Sequence, residues 1–252
     1  MFLSIIVPCY NEGAKLQCNL PTIYNYFFNH TTKDITFEII AVNDGSTDDT
    51  ADILLNQVKP SVDIYKNDKF IDFKVISYAE NQGKGYAVKQ GILQSDGDYC
   101  LFMDTDLATD LSAIQNVITY ANQGFDMIIG SRKLKESELP IKRTFIRELI
   151  SKGCGKITNS IIPLPDISDT QCGFKAIEKN FAKNILAQKQ TINRFAFDVE
   201  YLYIAKLYQK KIKEIPVIWT DDNDSRVSIA KSSVDFMQSL KLIRKNKTYY
   251  LQ

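Results

Sequence analysis

The feature that most restricts the fold is an alternation. Short apolar runs at Leu3–Cys9, Phe37–Asn43, Lys74–Ala79, Tyr99–Asp104 and Met127–Ser131 are separated by helical patterns at Lys15–Phe28, Thr47–Val58, Gly85–Gln94 and Leu111–Asn122. In the last of these, Ile114, Val117, Ile118 and Ala121 recur at helical spacing. Apolar runs of this length between polar residues read as buried strands. Their alternation with helices predicts an α/β layering around a mostly parallel central sheet. Ligands in such sheets bind at the carboxyl ends of the strands. The polar punctuation falls at those ends: Asn11-Glu12, Asn43-Asp44-Gly45-Ser46, Asn81-Gln82-Gly83 and Asp104-Thr105-Asp106. Four strand ends on one rim predict a site.

The run ending in Asp104 and Asp106 carries the most chemistry. Carboxylates are costly to bury without a positive partner. Mg²⁺ and Mn²⁺ favour carboxylate oxygen and accept a site that substrate phosphates complete. The alternative is a solvated acidic loop, and the convergence of the other strand ends favours the metal.

Composition excludes several function classes. Lysine and arginine number 31 against 30 acids, a net charge of +1, so no global field favours nucleic acid. The five cysteines, Cys9, Cys18, Cys100, Cys154 and Cys172, have no C-x-x-C spacing, which argues against a zinc site and a secreted disulfide framework. The single histidine, His30, lies in a polar stretch, which excludes a histidine-dependent nucleophile. Leu3–Cys9 is too short for a signal peptide, and no run reaches the length of a bilayer span. A reducing cytoplasm and a soluble or peripheral protein are expected.

Local chemistry at the strand ends is legible. Ile6-Val7-Pro8-Cys9-Tyr10-Asn11-Glu12 ends the first strand in a turn. Ser46 or Thr47 is placed to cap the next helix, with Asp48 and Asp49 favourable in its first turn. Asp44 is a strand-end carboxylate able to accept from a base N–H or a ribose hydroxyl. Asn81-Gln82-Gly83-Lys84-Gly85 opens a helix with a lysine at its start, a diphosphate contact weaker than a P-loop. Beyond Arg132, a helix is expected through Ile146, Leu149, Ile150, Gly153, Ile157 and Ile161, ended by Pro163 and Pro165. A further helix at Asp198–Leu207 and a strand at Ile212–Trp219 follow. Val234, Met237, Leu240 and Ile243 mark a terminal amphipathic helix with Lys241, Arg244, Lys245 and Lys247 beside or after it. It either packs on the core or lies on a membrane surface.

The combined pattern resembles the family 2 glycosyltransferases of GT-A fold, from residue 3 to about 230, and within them the polyprenyl-phosphate branch. Asp169-Thr170-Gln171-Cys172-Gly173-Phe174-Lys175 is similar to the signature of the dolichyl-phosphate β-glucosyltransferase side, as is Phe195-Ala196-Phe197-Asp198-Val199-Glu200; Gly130-Ser131-Arg132 also matches. The resemblance implies residues 1–231 as the transferase domain and 232–252 as the C-terminal helix and tail. Pro8, Tyr10, Glu12 and Asp44 would face the nucleoside, and Lys84 the diphosphate. Asp104 and Asp106 would bind Mg²⁺ or Mn²⁺, with Asp106 the direct ligand. Arg132 and Arg147 would hold the acceptor phosphate, and Arg226, in Ser225-Arg226-Val227, would face phosphate. Asp169 and Gln171 belong to the substrate-binding motif, and Asp198 to the catalytic one. Departures are Asn43 in place of a first Asp, Leu107-Ala108-Thr109 in place of Leu-Gln, and the absence of the membrane spans found in many relatives.

The implied reaction is inverting transfer of a hexose, glucose favoured, from a nucleotide diphosphate sugar, UDP favoured, to a polyprenyl phosphate at the cytoplasmic membrane face. The acceptor is already anionic at neutral pH, because a monoester's second pKa lies near ~6. No strong base is then needed. A family 2 enzyme acting on a sugar hydroxyl would need one, and Asp198 or Asp169 would supply it. A third reading is a nucleotide-sugar-binding protein without catalysis.

Overall fold

A computed structural model describes residues 1–64, 66–140, 155, 157–220 and 229–252. Among these, seven strands form one sheet: β1 Phe2–Cys9, β2 Thr36–Asp44, β3 Phe70–Tyr78, β4 Tyr99–Met103, β5 Met127–Ser131, β6 Phe174–Glu178 and β7 Ile212–Pro216. Their order is β3-β2-β1-β4-β6-β5-β7. Every pairing is parallel except those of β6 with β4 and β5.

The two-residue period of a strand divides the core. Leu3, Ile5 and Val7 of β1, with Phe37, Ile39 and Ala41 of β2, face one layer. That layer holds helix Gly13–His30, the helical run 50–63 and helix Ala113–Asn122. Ile6, Ile40, Val42, Cys100 and Phe102 face the other. There lie helix Lys84–Gln94, the run 179–189, helix Phe197–Leu207 and the C-terminal helices Ile229–Lys245 and Lys247–Leu251. The central strands are buried on both sides, which is why they read as continuous apolar runs.

Several expectations are amended. β6 was not foreseen: its five residues are interrupted by Lys175, and only pairing between β4 and β5 makes it a strand. β3 begins at Phe70, four residues before the expected start. The second helical run begins at Thr50, not Thr47, so Ser46 and Thr47 do not cap it. Ser46 Oγ instead accepts from the Asn11 backbone N–H at 2.9 Å. Both long helical runs of this kind contain a π-helical turn, Ile53–Val58 and Ala182–Leu186, which a 3.6-residue pattern does not reveal.

The terminal helix uses its apolar face for packing. Of the expected face, Leu240 and Ile243 are buried in the second layer together with Phe236, Met237 is partly buried against it, and Val234 stays exposed, so the buried side chains are not available to a membrane. No described helix is long and apolar enough to cross one. Most of the helix expected between Ile146 and Ile161 lies outside the described residues; residues 157–161 are helical. The four described cysteines are free thiols.

Candidate active site

The ends of β1 and β2 are stitched together by the residues that follow them. Asn11, at φ 55°, donates its backbone N–H to Ser46 and accepts the Thr47 backbone N–H on its side chain at 2.8 Å. The Glu12 backbone donates to Thr50 Oγ1 at 3.0 Å. Tyr10, just past Pro8 and Cys9, stays exposed at 44%. An aromatic face is thus presented at the rim, while the loop beneath it is held by hydrogen bonds.

Asp44 closes the end of β2 and is 3% exposed. Its carboxylate accepts from Tyr78 Oη at 2.8 Å, Asn81 Nδ2 at 2.8 Å, Gln82 N at 2.8 Å and Gly83 N at 2.9 Å. A carboxylate has about four lone-pair sites. Protein donors therefore occupy them, and a nucleoside donor would have to displace one. In this arrangement Asp44 shapes the 80–83 turn that leads to Lys84. Burial and the Asp44 charge push the Tyr78 hydroxyl far above its ordinary range.

β4 delivers Asp104, Thr105 and Asp106 to the same rim. Lys84, the first residue of its helix, donates to Asp104 Oδ1. Burial opposes the lysine charge, but Asp104, with Asp198 and Asp106 farther off, raises its pKa overall. Thr105 Oγ1 donates to the Glu12 carboxylate, and Asn19 Nδ2 to the Thr105 carbonyl at 2.7 Å. The acidic turn is thereby held from the β1 side. Burial raises the pKa of Glu12, against the Thr105 hydrogen bond. Asp106 Oδ1 accepts the Ala108 N–H at 2.9 Å, and Leu107 between them has φ 53°. Gly173, just before β6, backs the site: a Cβ there would overlap the Asp104 carboxylate.

No described cluster of three metal-ligating side chains is assembled. Two strand-end carboxylates nevertheless suit a divalent cation, because Mg²⁺ usually takes one or two from the protein and completes its shell with water and phosphate. The Lys84 ammonium on Asp104 marks that carboxylate as a cation acceptor.

The second half of the rim is built on an ion pair. Arg132, at the end of β5, donates Nε and Nη2 to Asp169 at 2.6 and 2.9 Å, and its backbone N–H to the same carboxylate at 3.0 Å. Its guanidinium lies 5.4 Å from the centre of the Trp219 ring. The Arg132 side chain is 17% exposed and Asp169 2%. Burial alone would raise the Asp169 pKa, but Arg132 outweighs it and holds the carboxyl well below the usual range. Glu214 of β7 accepts from Ser168 N and Oγ and from Asp169 N, fixing the backbone that presents the acid. Gln171 is exposed and donates its backbone N–H to Asp169 at 3.2 Å.

Asp198 faces inward at the start of its helix. Its Oδ2 is 3.7 Å from Lys175 Nζ, and Lys175 is fully buried. That ammonium also donates to the Cys172 carbonyl and lies 5.8 Å from the Phe102 ring centre. Arg147 and Arg226 lie outside the described residues.

The glycosyl transferase family 2 description matches residues 4–186, well over half of the chain. The dolichyl-phosphate β-glucosyltransferase of Dictyostelium discoideum is 34% identical over 253 residues, covering 97% of this chain and 74% of that protein. The chain belongs to glycosyltransferase family 2. The enzyme of the same name from Saccharomyces cerevisiae is 31% identical, over 97% of this chain and 74% of its own length. The human one is 32% identical, over 89% and 69%. Solved structures agree on a GT-A fold. Mannosyl-3-phosphoglycerate synthase from Rubrobacter xylanophilus superposes with a TM-score of 0.62 at 13% identity, covering 100% of this chain and 76% of that one. Staphylococcus aureus TarS with UDP-GlcNAc gives 0.59 at 17%, over 98% and 67%. The Pyrobaculum calidifontis mannosyltransferase with GDP-Man and Mn²⁺ gives 0.57 at 15%, over 99% and 71%.

In this glycosyltransferase the strand-end reading brought Glu12, Asp44, Lys84, Asp104 and Asp106 to one rim. It missed the side chains that hold this rim, Asn19, Tyr78, Asn81 and Thr105, and those behind Asp169 and Asp198, namely Glu214 and Lys175. Asn81 and Thr105 stood inside quoted motifs, so their position was visible; their partners were not. Lys175 likewise stood in the quoted Asp169–Lys175 motif, but nothing there showed that it is buried and faces Asp198.

Proposed function

We propose that the protein transfers glucose from UDP-glucose to a polyprenyl phosphate, with inversion, at the cytoplasmic face of a membrane. The observation that carries this is the 31–34% identity over most of the chain to dolichyl-phosphate β-glucosyltransferases. Inversion, the metal and the residue roles below are parts of the same proposal.

Asp104 and Asp106 would hold Mg²⁺ or Mn²⁺, which when bound neutralises charge on the leaving diphosphate. Lys84 exchanges Asp104 for the donor phosphate and adds a second positive charge there. Asp44 holds the turn that aims Lys84. Tyr10 offers its exposed ring to the base, and Pro8 and Glu12 shape that pocket. Arg132, steered by Asp169 and stacked on Trp219, presents its further N–H donors to the acceptor phosphate. Arg's planar fork suits that anion. Gln171 flanks the same pocket, and Arg147 and Arg226 supply further cations. A phosphate oxygen attacks the anomeric carbon as the bond to the β-phosphate breaks, giving UDP and the glycosyl phosphodiester. The acceptor brings no proton that must be removed. This suits a site in which Asp169 is committed to Arg132 and Asp198 faces Lys175. Positioning and charge neutralisation then supply most of the rate.

A polyprenyl acceptor puts the enzyme at a bilayer. The outer side of the C-terminal helices exposes Val234, Leu242, Tyr249 and Leu251 among exposed Lys241, Lys245 and Lys247. This mixture suits an anionic surface. Leu242→Asp combined with Lys245→Glu should abolish flotation with anionic vesicles, and unchanged flotation would remove this part of the proposal.

The deciding assay incubates the protein with labelled UDP-glucose, Mg²⁺ or Mn²⁺ and a short polyprenyl phosphate. Label should enter the organic phase and be lost in Asp106→Ala. Label that reaches only soluble sugars would move the acceptor to a hydroxyl.

A further inference from the structure

The carboxylate of Glu200 lies outside the rim described above, yet it is fully buried. It sits in the first turn of helix Phe197–Leu207, which is entered through Ala196 at φ 75°. It accepts four hydrogen bonds: Thr191 N at 2.8 Å, Thr191 Oγ1 at 2.6 Å, Ile192 N at 3.0 Å and Tyr250 Oη at 2.7 Å. Three of these come from one short segment, and the fourth comes from the C-terminal helix. Tyr250 is itself fully buried and accepts Tyr208 Oη on its carbonyl at 2.8 Å. Asn246 Nδ2 reaches Thr191 Oγ1 at 3.1 Å. The end of the chain therefore grips residue 191 from two positions.

The segment it grips lies against the turn that presents Lys84. The Asn193 carbonyl accepts the Tyr86 N–H at 2.9 Å. A Cβ at residue 85 would stand 2.7 Å from the Ile192 carbonyl oxygen, and one at residue 83 would stand 2.6 Å from the Asn193 oxygen and from Arg194 Cγ. The two glycines that flank Lys84 thus serve packing: they let residues 192–194 close on the backbone on either side of the lysine. A continuous chain of contacts runs from Tyr250 through Glu200 and residues 191–193 to Lys84, and from Lys84 to Asp104.

We infer that Glu200 and Tyr250 are positioning residues for the donor-diphosphate end of the site, so that the C-terminal helix Lys247–Leu251 is part of the scaffold that aims Lys84. The inference rests on the proposed function only in assigning Lys84 to the donor phosphates. Its physical basis is that a buried carboxylate deprived of a donor must find another or shift. The groups nearest to shift are the Thr191 and Ile192 amides. Their movement reaches Lys84 because residues 83 to 86 have no side chain between them and the 192–194 backbone at the two glycines.

The test is Tyr250→Phe, which keeps the ring and removes one hydrogen bond. Hydrogen exchange is followed by mass spectrometry in peptides spanning 190–196 and 84–94, in the whole 252-residue chain without ligand. Exchange should quicken about 3- to 10-fold in both peptides. The KM for UDP-glucose should rise by a similar factor, with kcat changed less. Leu240→Ala is the control: it removes buried side chain from the same layer outside this chain of contacts, and should lower Tm while leaving the 84–94 peptide and the KM unchanged. Glu200→Gln, which turns an N–H toward the Ile192 or Thr191 donors, should act in the direction of Tyr250→Phe. Faster exchange confined to 190–196, or an unchanged KM with both peptides loosened, overturns the inference. Wild-type protein that binds neither UDP nor UDP-glucose would count against the donor reading alone, and the exchange comparison would still decide the linkage.

Discussion

Replacing Asp169 by Asn changes one atom in a site where every acceptor position has an assigned donor. Asp169 Oδ2 takes Arg132 N and Nε, and Oδ1 takes Arg132 Nη2 and Gln171 N. Whichever way the amide is turned, its NH₂ meets two N–H donors. The arginine, 17% exposed, is left without its countercharge. Breaking a buried pair by removing one partner costs about 3–5 kcal/mol. For a chain of this size that corresponds to a Tm drop of roughly 6–20 °C. Replacing both partners leaves no unpaired charge, so Asp169→Leu with Arg132→Met should recover much of the loss. The assay is thermal unfolding of wild type, both singles and the double, with transferase activity measured below the lowest Tm. The pH dependence has a fixed sign. The Asp169 pKa is lower in the folded than in the unfolded protein, so its contribution is complete above the unfolded value of 3.8 and is lost as pH falls below it. Wild type should therefore lose stability more steeply than Asp169→Asn in that acid range. A Tm within 2 °C (about 1 kcal/mol) of wild type, together with abolished activity, would refute the reasoning and make Asp169 a reacting group.

Gly173→Ala should lower activity about 100-fold by displacing the Asp104 carboxylate, with a Tm change small beside that of Asp169→Asn; unaltered turnover would show that the site accommodates the methyl. Asp198→Asn should retain at least about a tenth of the activity, because an anionic acceptor needs no base; a loss of about 10³-fold at unchanged Tm would identify a general base and a hydroxyl acceptor. Leu240→Ala should cost about 2–5 kcal/mol in denaturant unfolding, since that side chain is fully buried in the second layer; a cost under about 0.5 kcal/mol would place the terminal helix off the core.

The acceptor question shows what a rim of charged groups means once its partners are known. Arg132, Asp169 and Asp198 read from sequence as independent candidates. In the fold, Asp169 is the countercharge of Arg132, and Asp198 faces the buried Lys175. Asp169 has all its acceptor positions taken by protein N–H donors, and Asp198 accepts the Val199 N–H at 3.0 Å and has the Lys175 ammonium 3.7 Å from its other oxygen. On the proposed reading an acceptor that arrives ionised asks for a cation rather than a base, and Arg132 is the group assigned to it, with Lys84 kept for the donor phosphates.

What the sequence determined by itself was everything set by short-range periodicity. Runs such as Ile39–Val42 and Leu101–Met103 have to be strands between two apolar layers. Polar residues at their ends have to leave the sheet, and so Glu12, Asp44, Lys84, Asp104 and Asp106 fall on one rim in any parallel arrangement of these strands. Tertiary structure decided what depends on partners distant in the chain. Phe174–Glu178 is a strand only because β4 and β5 flank it. Asp44 became a turn organiser through Tyr78, Asn81, Gln82 and Gly83, 34 to 39 residues away. Most of the apolar face of the terminal helix, Leu240 and Ile243 above all, suited by composition to a bilayer or a core, went to the core because the sheet's second layer was there to receive it, while Val234 stayed outside. Periodicity encodes which face is apolar; the identity of what covers that face, and of the donor that meets a buried carboxylate, exists only once the chain has folded.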